Sequence, residues 1–234
     1  MFMWDPRYLI FALPALLLAF YAQWRVQSAY SRYSRKPNAR GLSGYETARI
    51  LLRSAGLEQI QIEQAPGQLT DHYDPSRNIL RLSAGVANSR SIASLGIVAH
   101  ELGHAVQDAT NYGPLRVRSG LVPIVNIGSW LGPIVFLGGF LLSGITGSTL
   151  IAWIGLFLFA GTAVFALVTL PVEFNASRRA LQLLGSYQLA DGQELQEAKK
   201  VLDAAALTYV AALAQSLSTL LYYVFLLTGV SRRD

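Results

Sequence analysis

Apolar positions along this chain gather into a few long uncharged runs around a central polar stretch, a pattern that predicts membrane helices bracketing a water-facing insert. Between Arg118 and Glu173 no Asp, Glu, Lys or Arg occurs over 54 residues. A span needs about 20 residues to cross roughly 30 Å of hydrocarbon, so this gap predicts two helices and a turn. The turn reads as Ser143-Gly144-Ile145-Thr146-Gly147-Ser148, dividing the gap into spans over 121–142 and 149–170. Residues 8–22 form another uncharged run, with Pro14 inside it and the interface-favouring aromatics Tyr21 and Trp24 closing it. Its flank carries both Asp5 and Arg7, and no small-residue cleavage site follows. It therefore reads as an uncleaved first span with the N-terminus outside, not as a signal peptide. A last uncharged stretch, 204–230, carries Thr208, Gln215, Ser216, Ser218 and Thr219 in its polar half. It is expected either to span while lining a protein interior or to lie re-entrant, and the Arg232-Arg233 pair argues against an outside C-terminus.

The polar insert has its own periodicities. Ser43-Gly44-Tyr45-Glu46 has the spacing of a capping box and predicts a helix to about Ser54, stopped by Gly56. Gln59-Ile60-Gln61-Ile62-Glu63 and Asn78-Ile79-Leu80-Arg81-Leu82 alternate polar and apolar residues. Both predict short half-buried strands, joined by a turn segment rich in Pro, Gly and Asp. A helix is expected from about Ser91 to Ala109, ended by Asn111-Tyr112-Gly113-Pro114. Asp191-Gly192-Gln193-Glu194 offers another capping box for a helix to about Asp203. The expected organisation is a first membrane helix (1–24), an insert (25–118), a membrane hairpin (119–171), a helical segment (172–203) and a C-terminal membrane or re-entrant helix (204–234). The fold class is mainly α, a membrane protein of about four transmembrane helices with a small α+β insert and a two-stranded β element.

Composition narrows the function. With 52% apolar and only 14% charged residues the chain departs from soluble domains, which carry about a quarter charged residues. The net charge of +5 is concentrated beside apolar runs, as in Arg25, Arg32, Arg35, Lys36 and Arg40, so it anchors and orients spans and does not point to nucleic acid. Arg116 and Arg118 before the hairpin, with Arg178 and Arg179 after it, place both of its ends on the cytoplasmic side. There is no cysteine, so any bound metal must use His, Asp or Glu, and there are only three histidines.

Two of those histidines fall in His100-Glu101-Leu102-Gly103-His104. Four residues apart on a helix, both imidazoles face one ion, and Glu101 comes round to meet a water beside it. This is the arrangement of a zinc hydrolase. The sequence before it, Ser91 to Ala99, is apolar enough to bury the helix, and two buried histidines with a glutamate need a partner. An open zinc centre wants a third protein ligand. Between Ala109 and Ala190 only one acidic residue occurs, Glu173, at the cytoplasmic end of the hairpin's second helix. It is the natural carboxylate ligand, although a carboxylate just after Pro171 also suits a helix N-terminus. His72 lies between the predicted strands, where it reads equally as a turn residue or as the group that stabilises an oxyanion, a role open also to Tyr73 and Tyr209. Asp108 reads as a group that orients a ligand imidazole or as a solvated helix end.

These residues carry a resemblance. The segments Tyr21-Ala22-Gln23-Trp24-Arg25-Val26, Leu69-Thr70-Asp71-His72-Tyr73-Asp74-Pro75, Ala99 through Asp108, and Leu170 through Ala180 resemble the YugP-type family of bacterial neutral zinc metallopeptidases, over nearly the whole chain. More distantly the chain is similar to the gluzincin-like HtpX-type and CAAX-processing membrane endoproteases. That likeness implies His100, His104 and Glu173 as ligands of one zinc ion, Glu101 as general base, and a site facing the cytoplasm at the inner (plasma) membrane of a bacterium. Those relatives place an aspartate four residues after the glutamate ligand, where this chain has Ser177, whose hydroxyl accepts an imidazole N–H without charge. Asp108 or Asp71 would be the substitutes.

The function expected is hydrolysis of a peptide bond in a peptide or membrane protein near the bilayer surface, with an extended substrate pairing along an exposed edge at residues 79–83. The alternative is a catalytically silent membrane scaffold or adaptor with a structural zinc site. A structural site usually has four protein ligands, which the scarcity of further His and carboxylates disfavours. Nitrogen and oxygen ligands also admit manganese or cobalt.

Overall fold

A computed structural model describes residues 6–230. Asp5 and the Arg232-Arg233 pair, used above for orientation, lie outside the described residues. The elements are α1 (Pro6–Tyr33), α2 (Gly44–Ser54), β1 (Gln61–Ala65), β2 (His72–Asp74), β3 (Ile79–Ser83), α3 (Ala84–Ala87), α4 (Ile92–Ala109), α5 (Gly113–Thr146), α6 (Leu150–Ser186) and α7 (Gly192–Val230). Among the described residues four helices are long and apolar enough to cross a membrane, Arg7–Tyr33, Gly113–Thr146, Leu150–Ser186 and Gly192–Gly229. The chain divides into two compact units, one drawn from Met1–Tyr21, Arg116–Leu170 and Thr208–Asp234, the other from Ala22–Leu115 and Pro171–Leu207.

In the first unit α5 and α6 lie close because glycines remove the side chains between them. A Cβ on Gly155 would overlap the backbone of Phe136, and one on Gly132 would sit 2.7 Å from the Phe159 nitrogen. Phe136, Ala152, Leu156 and Leu227 form the buried apolar cluster here, and Tyr223 stacks on Phe136 at 3.9 Å between centroids. Three hydroxyls in the membrane half of α7 bond to backbone carbonyls. Ser216 and Thr219 donate to the carbonyls of Leu213 and Gln215 on their own helix, and Ser218 donates to the Phe11 carbonyl of α1. Residues 192–203 and 204–230, expected as separate segments, form the single helix α7.

In the second unit the local signals operate as chemistry predicts. Ser43 accepts from the Glu46 N–H while the Glu46 carboxylate accepts from the Ser43 N–H at 2.8 Å, which starts α2. Asp191 and Glu194 exchange the same pair of bonds before α7. Ser91 caps α4 by accepting from the Ser94 N–H. Leu51, Leu52, Leu80, Leu82, Val86, Ile92, Leu95, Val98 and Leu102 form a core with Ala180, Leu184, Ala198 and Leu202. This fixes α4 between α2, the sheet and the ends of α6 and α7.

The sheet has three strands, not two, in the order β1-β3-β2. β1 pairs parallel with β3, and β2 pairs antiparallel with it, His72 opposite Arg81 and Tyr73 opposite Leu80. The segment expected to be a plain turn contains β2 because Asp74 accepts from the Ser76 N–H, an Asx-turn that returns the chain beside β3. A consequence corrects the expected substrate edge: β3, residues 79–83, is the central strand with both edges paired, and the free edges belong to β1 and β2.

Candidate metal centre

The face of α4 that meets α6 is set by helical periodicity. His100, Gly103, His104 and Gln107 occupy i, i+3, i+4 and i+7 and lie along one side. On α6, Glu173, Ala176, Ser177 and Ala180 follow the same spacing. The helices can touch because Gly103 has no side chain: a Cβ there would overlap the Ala176 carbonyl. Gly103 was not singled out in the sequence, and its signal is its place between the two histidines on their own face.

This crossing brings Glu173 to the histidines. Glu173 Oε2 lies 3.2 Å from His100 Nε2 and 3.6 Å from His104 Nε2, and the three ligand atoms all lie within 4.8 Å of one another. The edge of a tetrahedron with bonds of 2.0–2.1 Å is about 3.3 Å, so the two His–Glu separations fit a single zinc-sized ion. Glu173 is 2% exposed, so its charge is held away from water, where a cation or protonated imidazoles can balance it. Two imidazole nitrogens and one carboxylate oxygen are a donor set of the kind zinc takes.

Each ring is held from behind by an uncharged group. Ser177 Oγ lies 3.2 Å from His100 Nδ1, and Gln107 Oε1 lies 3.0 Å from His104 Nδ1. Gln107 is fully buried and was not among the residues expected from sequence. It holds His104 in the position considered for Asp108. The Asp108 carboxylate instead accepts from the Tyr73 hydroxyl at 3.0 Å, because i+3 from His104, not i+4, points along the α6 contact. Asp71 likewise serves elsewhere, accepting from the Ser83 N–H at 2.8 Å, with burial pushing its carboxyl up.

Glu101 accepts the main-chain N–H of Tyr73 at 3.1 Å, so the outer edge of β2 faces the carboxylate. Burial pushes the Glu101 carboxyl up, only partly opposed by positive charge on His100 and His104. For His104 burial disfavours the charged ring, but its bond to Glu173 and the charges of Glu101 and Glu173 outweigh this and raise it above its ordinary value. The Tyr73 hydroxyl is raised by burial and by Asp108, which keeps it protonated.

His72 is bonded elsewhere. His72 alternates with Tyr73 and stands on the other side of the sheet, its Nδ1 2.8 Å from the Thr70 carbonyl and its Nε2 3.4 Å from Arg81. Tyr209 lies on α7 in the other unit.

Comparison with known proteins agrees with this chemistry. The profile of a family described as "Putative neutral zinc metallopeptidase" matches residues 8–228. A protein of Bacillus subtilis (strain 168) named "Putative membrane protease YugP" is 43% identical over 219 residues, covering 94% of this chain and 96% of its own length. No solved structure matches. The relative's name and the four apolar helices make this a membrane protein.

Proposed function

The chain belongs to the zinc metallopeptidase family that matches it, and on that premise we propose that it is a membrane-embedded zinc endopeptidase acting on peptides or membrane-protein segments at the cytoplasmic surface of the bacterial plasma membrane. The observation that carries this reading is the meeting of His100 Nε2, His104 Nε2 and Glu173 Oε2 beside the carboxylate of Glu101. His100, His104 and Glu173 would hold one zinc ion, which when bound supplies Lewis-acid activation of a water and of the scissile carbonyl. Glu101 takes the proton of the attacking water and delivers it to the leaving amine. A buried carboxyl with a raised affinity for protons suits both halves of that transfer. An extended substrate would pair with the outer edge of β2, taking over the Tyr73 N–H that here donates to Glu101. The cytoplasmic orientation rests on Arg116, Arg118, Arg178 and Arg179.

Glu101→Gln in detergent-solubilised full-length protein tests the reading. Zinc retention is expected to match the parent while cleavage of an unfolded or membrane-tethered substrate falls by about a hundredfold or more. His100→Ala is expected to lose the metal. Unchanged cleavage by Glu101→Gln, or zinc bound equally well by His100→Ala, overturns the proposal.

A further inference from the structure

Behind His104 runs a chain of hydrogen bonds whose direction is fixed at both far ends. The Arg179 Nε–H can only donate, and it donates to Asn175 Oδ1 at 2.8 Å. The Val172 carbonyl can only accept, and it lies 2.8 Å from the Gln107 side-chain nitrogen. The same Gln107 NH2 donates its second proton to Asn175 Oδ1 at 3.0 Å. With the amino end of the amide committed twice, only Oε1 remains for His104, 3.0 Å from Nδ1. A carbonyl oxygen cannot donate, so Nδ1 must carry the proton, and the lone pair of the neutral ring falls on Nε2, the atom that faces Glu173.

We propose that Gln107 is a positioning residue of the metal centre: through Val172 and the Asn175–Arg179 pair it imposes on His104 the one tautomer that presents Nε2 to zinc, and it ties that ring to the turn of α6 carrying Glu173. This rests on the metal-centre reading given above. The burial of Gln107 supports the assignment, because a fully buried amide with all of its polar atoms bonded cannot flip without setting its own oxygen against the Val172 carbonyl. The Arg179 guanidinium that starts the chain is itself held over the Tyr112 ring, 5.9 Å from its centroid. Gln107 thus does for His104 with an amide what carboxylates commonly do for metal-bound histidines, without adding charge to the site.

The test uses full-length protein in detergent, 15N-labelled at histidine and loaded with zinc, with zinc affinity read by chelator competition. In the parent, His104 is expected to coordinate through Nε2 and to show a low-field, exchange-protected Nδ1 proton. Gln107→Met keeps the length of the side chain and removes all three bonds. It is expected to bind zinc about 10–100-fold more weakly and to lose that proton's protection, while the His100 signal persists. A folded variant with zinc affinity within about twofold of the parent's and the proton retained would overturn the role of Gln107. If Gln107→Met does not fold, the parent spectrum decides alone: coordination through Nδ1, or a rapidly exchanging Nδ1 proton, overturns the proposal. A parent that binds no zinc fails the metal-centre reading instead, so the two failures are distinguishable.

Discussion

Each unit of this protein holds a pair of helices drawn together until only a glycine fits between their backbones, and the two pairs put that closeness to different use. In the membrane-helix unit Gly132 and Gly155 let α5 and α6 meet, and the buried cluster beside them is apolar, built on Phe136, Ala152 and Leu156. In the other unit Gly103 lets α4 meet α6 at Ala176, and the flanking positions carry His100, His104, Gln107, Glu173 and Ser177. The first contact yields dispersion alone. The second gathers three ligand atoms and the uncharged groups that orient two of them. A small residue at a crossing is thus not evidence of a site; the polar residues one and four positions away decide.

The sharpest break of that comparison is Gly103→Ala against Gly132→Ala. Both add a methyl to a crossing of backbones, and overpacking of this kind costs about 1–3 kcal/mol. For Gly103 the methyl would overlap a carbonyl on a helix that cannot recede without carrying Glu173 with it. Zinc affinity is expected to fall by at least about a hundredfold alongside the loss of stability, by analogy with the 10–100-fold typical of disturbed ligand support. Gly132→Ala is expected to lower thermal stability similarly while the folded protein keeps its zinc affinity. Equal zinc affinity in both variants would show that the α4–α6 distance does not set the site.

The two crossings also differ in how much of them a reader of the sequence can find. Capping boxes at Ser43–Glu46 and Asp191–Glu194, the uncharged gap before Glu173, and the His100–His104 pair are local patterns, each written within a few residues, and the helices they predict are present. The sequence of β2 reads as turn because its three residues gain strand character only by pairing with β3, and that of β3 reads as a free edge because nothing in its own alternation reveals two neighbours. Gln107 and Gly103 escaped for a related reason. An amide and a glycine announce no chemistry, and their roles exist only once α6 lies against the stripe 100, 103, 104 and 107. Asp108 drew attention by its charge, yet its partner is the Tyr73 hydroxyl brought over by β2.

A second test, of intermediate size, uses the charge that separates the two crossings. Without metal, His104 is raised above its ordinary value of about 6.5 by its bond to Glu173 and the neighbouring carboxylates, which overcome the opposing effect of burial. The stabilisation from that proton is fully present below about pH 6.5 and is lost as pH rises through the raised value. Zinc needs the same nitrogen, so binding must expel the proton. Zinc affinity is expected to rise about tenfold per pH unit up to the raised value and then level. Calorimetry in two buffers of different ionisation heat is expected to show proton release on zinc binding that diminishes as pH rises through the raised value. An affinity flat from pH 6 to 8 with no buffer-dependent heat would remove the proton from this account.

The smallest expected effect comes from a polar contact that joins two helices in the membrane unit, Ser218 donating to the Phe11 carbonyl. Within a bilayer such bonds average only about 0.6 kcal/mol, because a hydroxyl freed from its partner turns back to a carbonyl of its own helix. Ser216 and Thr219 on the same helix already bond in that way. Ser218→Ala is therefore expected to lower stability by about that amount and to leave zinc affinity and tautomer untouched. Gln107→Met removes three bonds where no such retreat exists, since that amide is buried between the Val172 carbonyl, which can only accept, and the His104 ring. Measured side by side by thermal unfolding and chelator competition, the pair separates a polar contact that merely fastens two helices from one that sets the chemistry of a ligand; a loss of zinc on Ser218→Ala would dissolve that distinction.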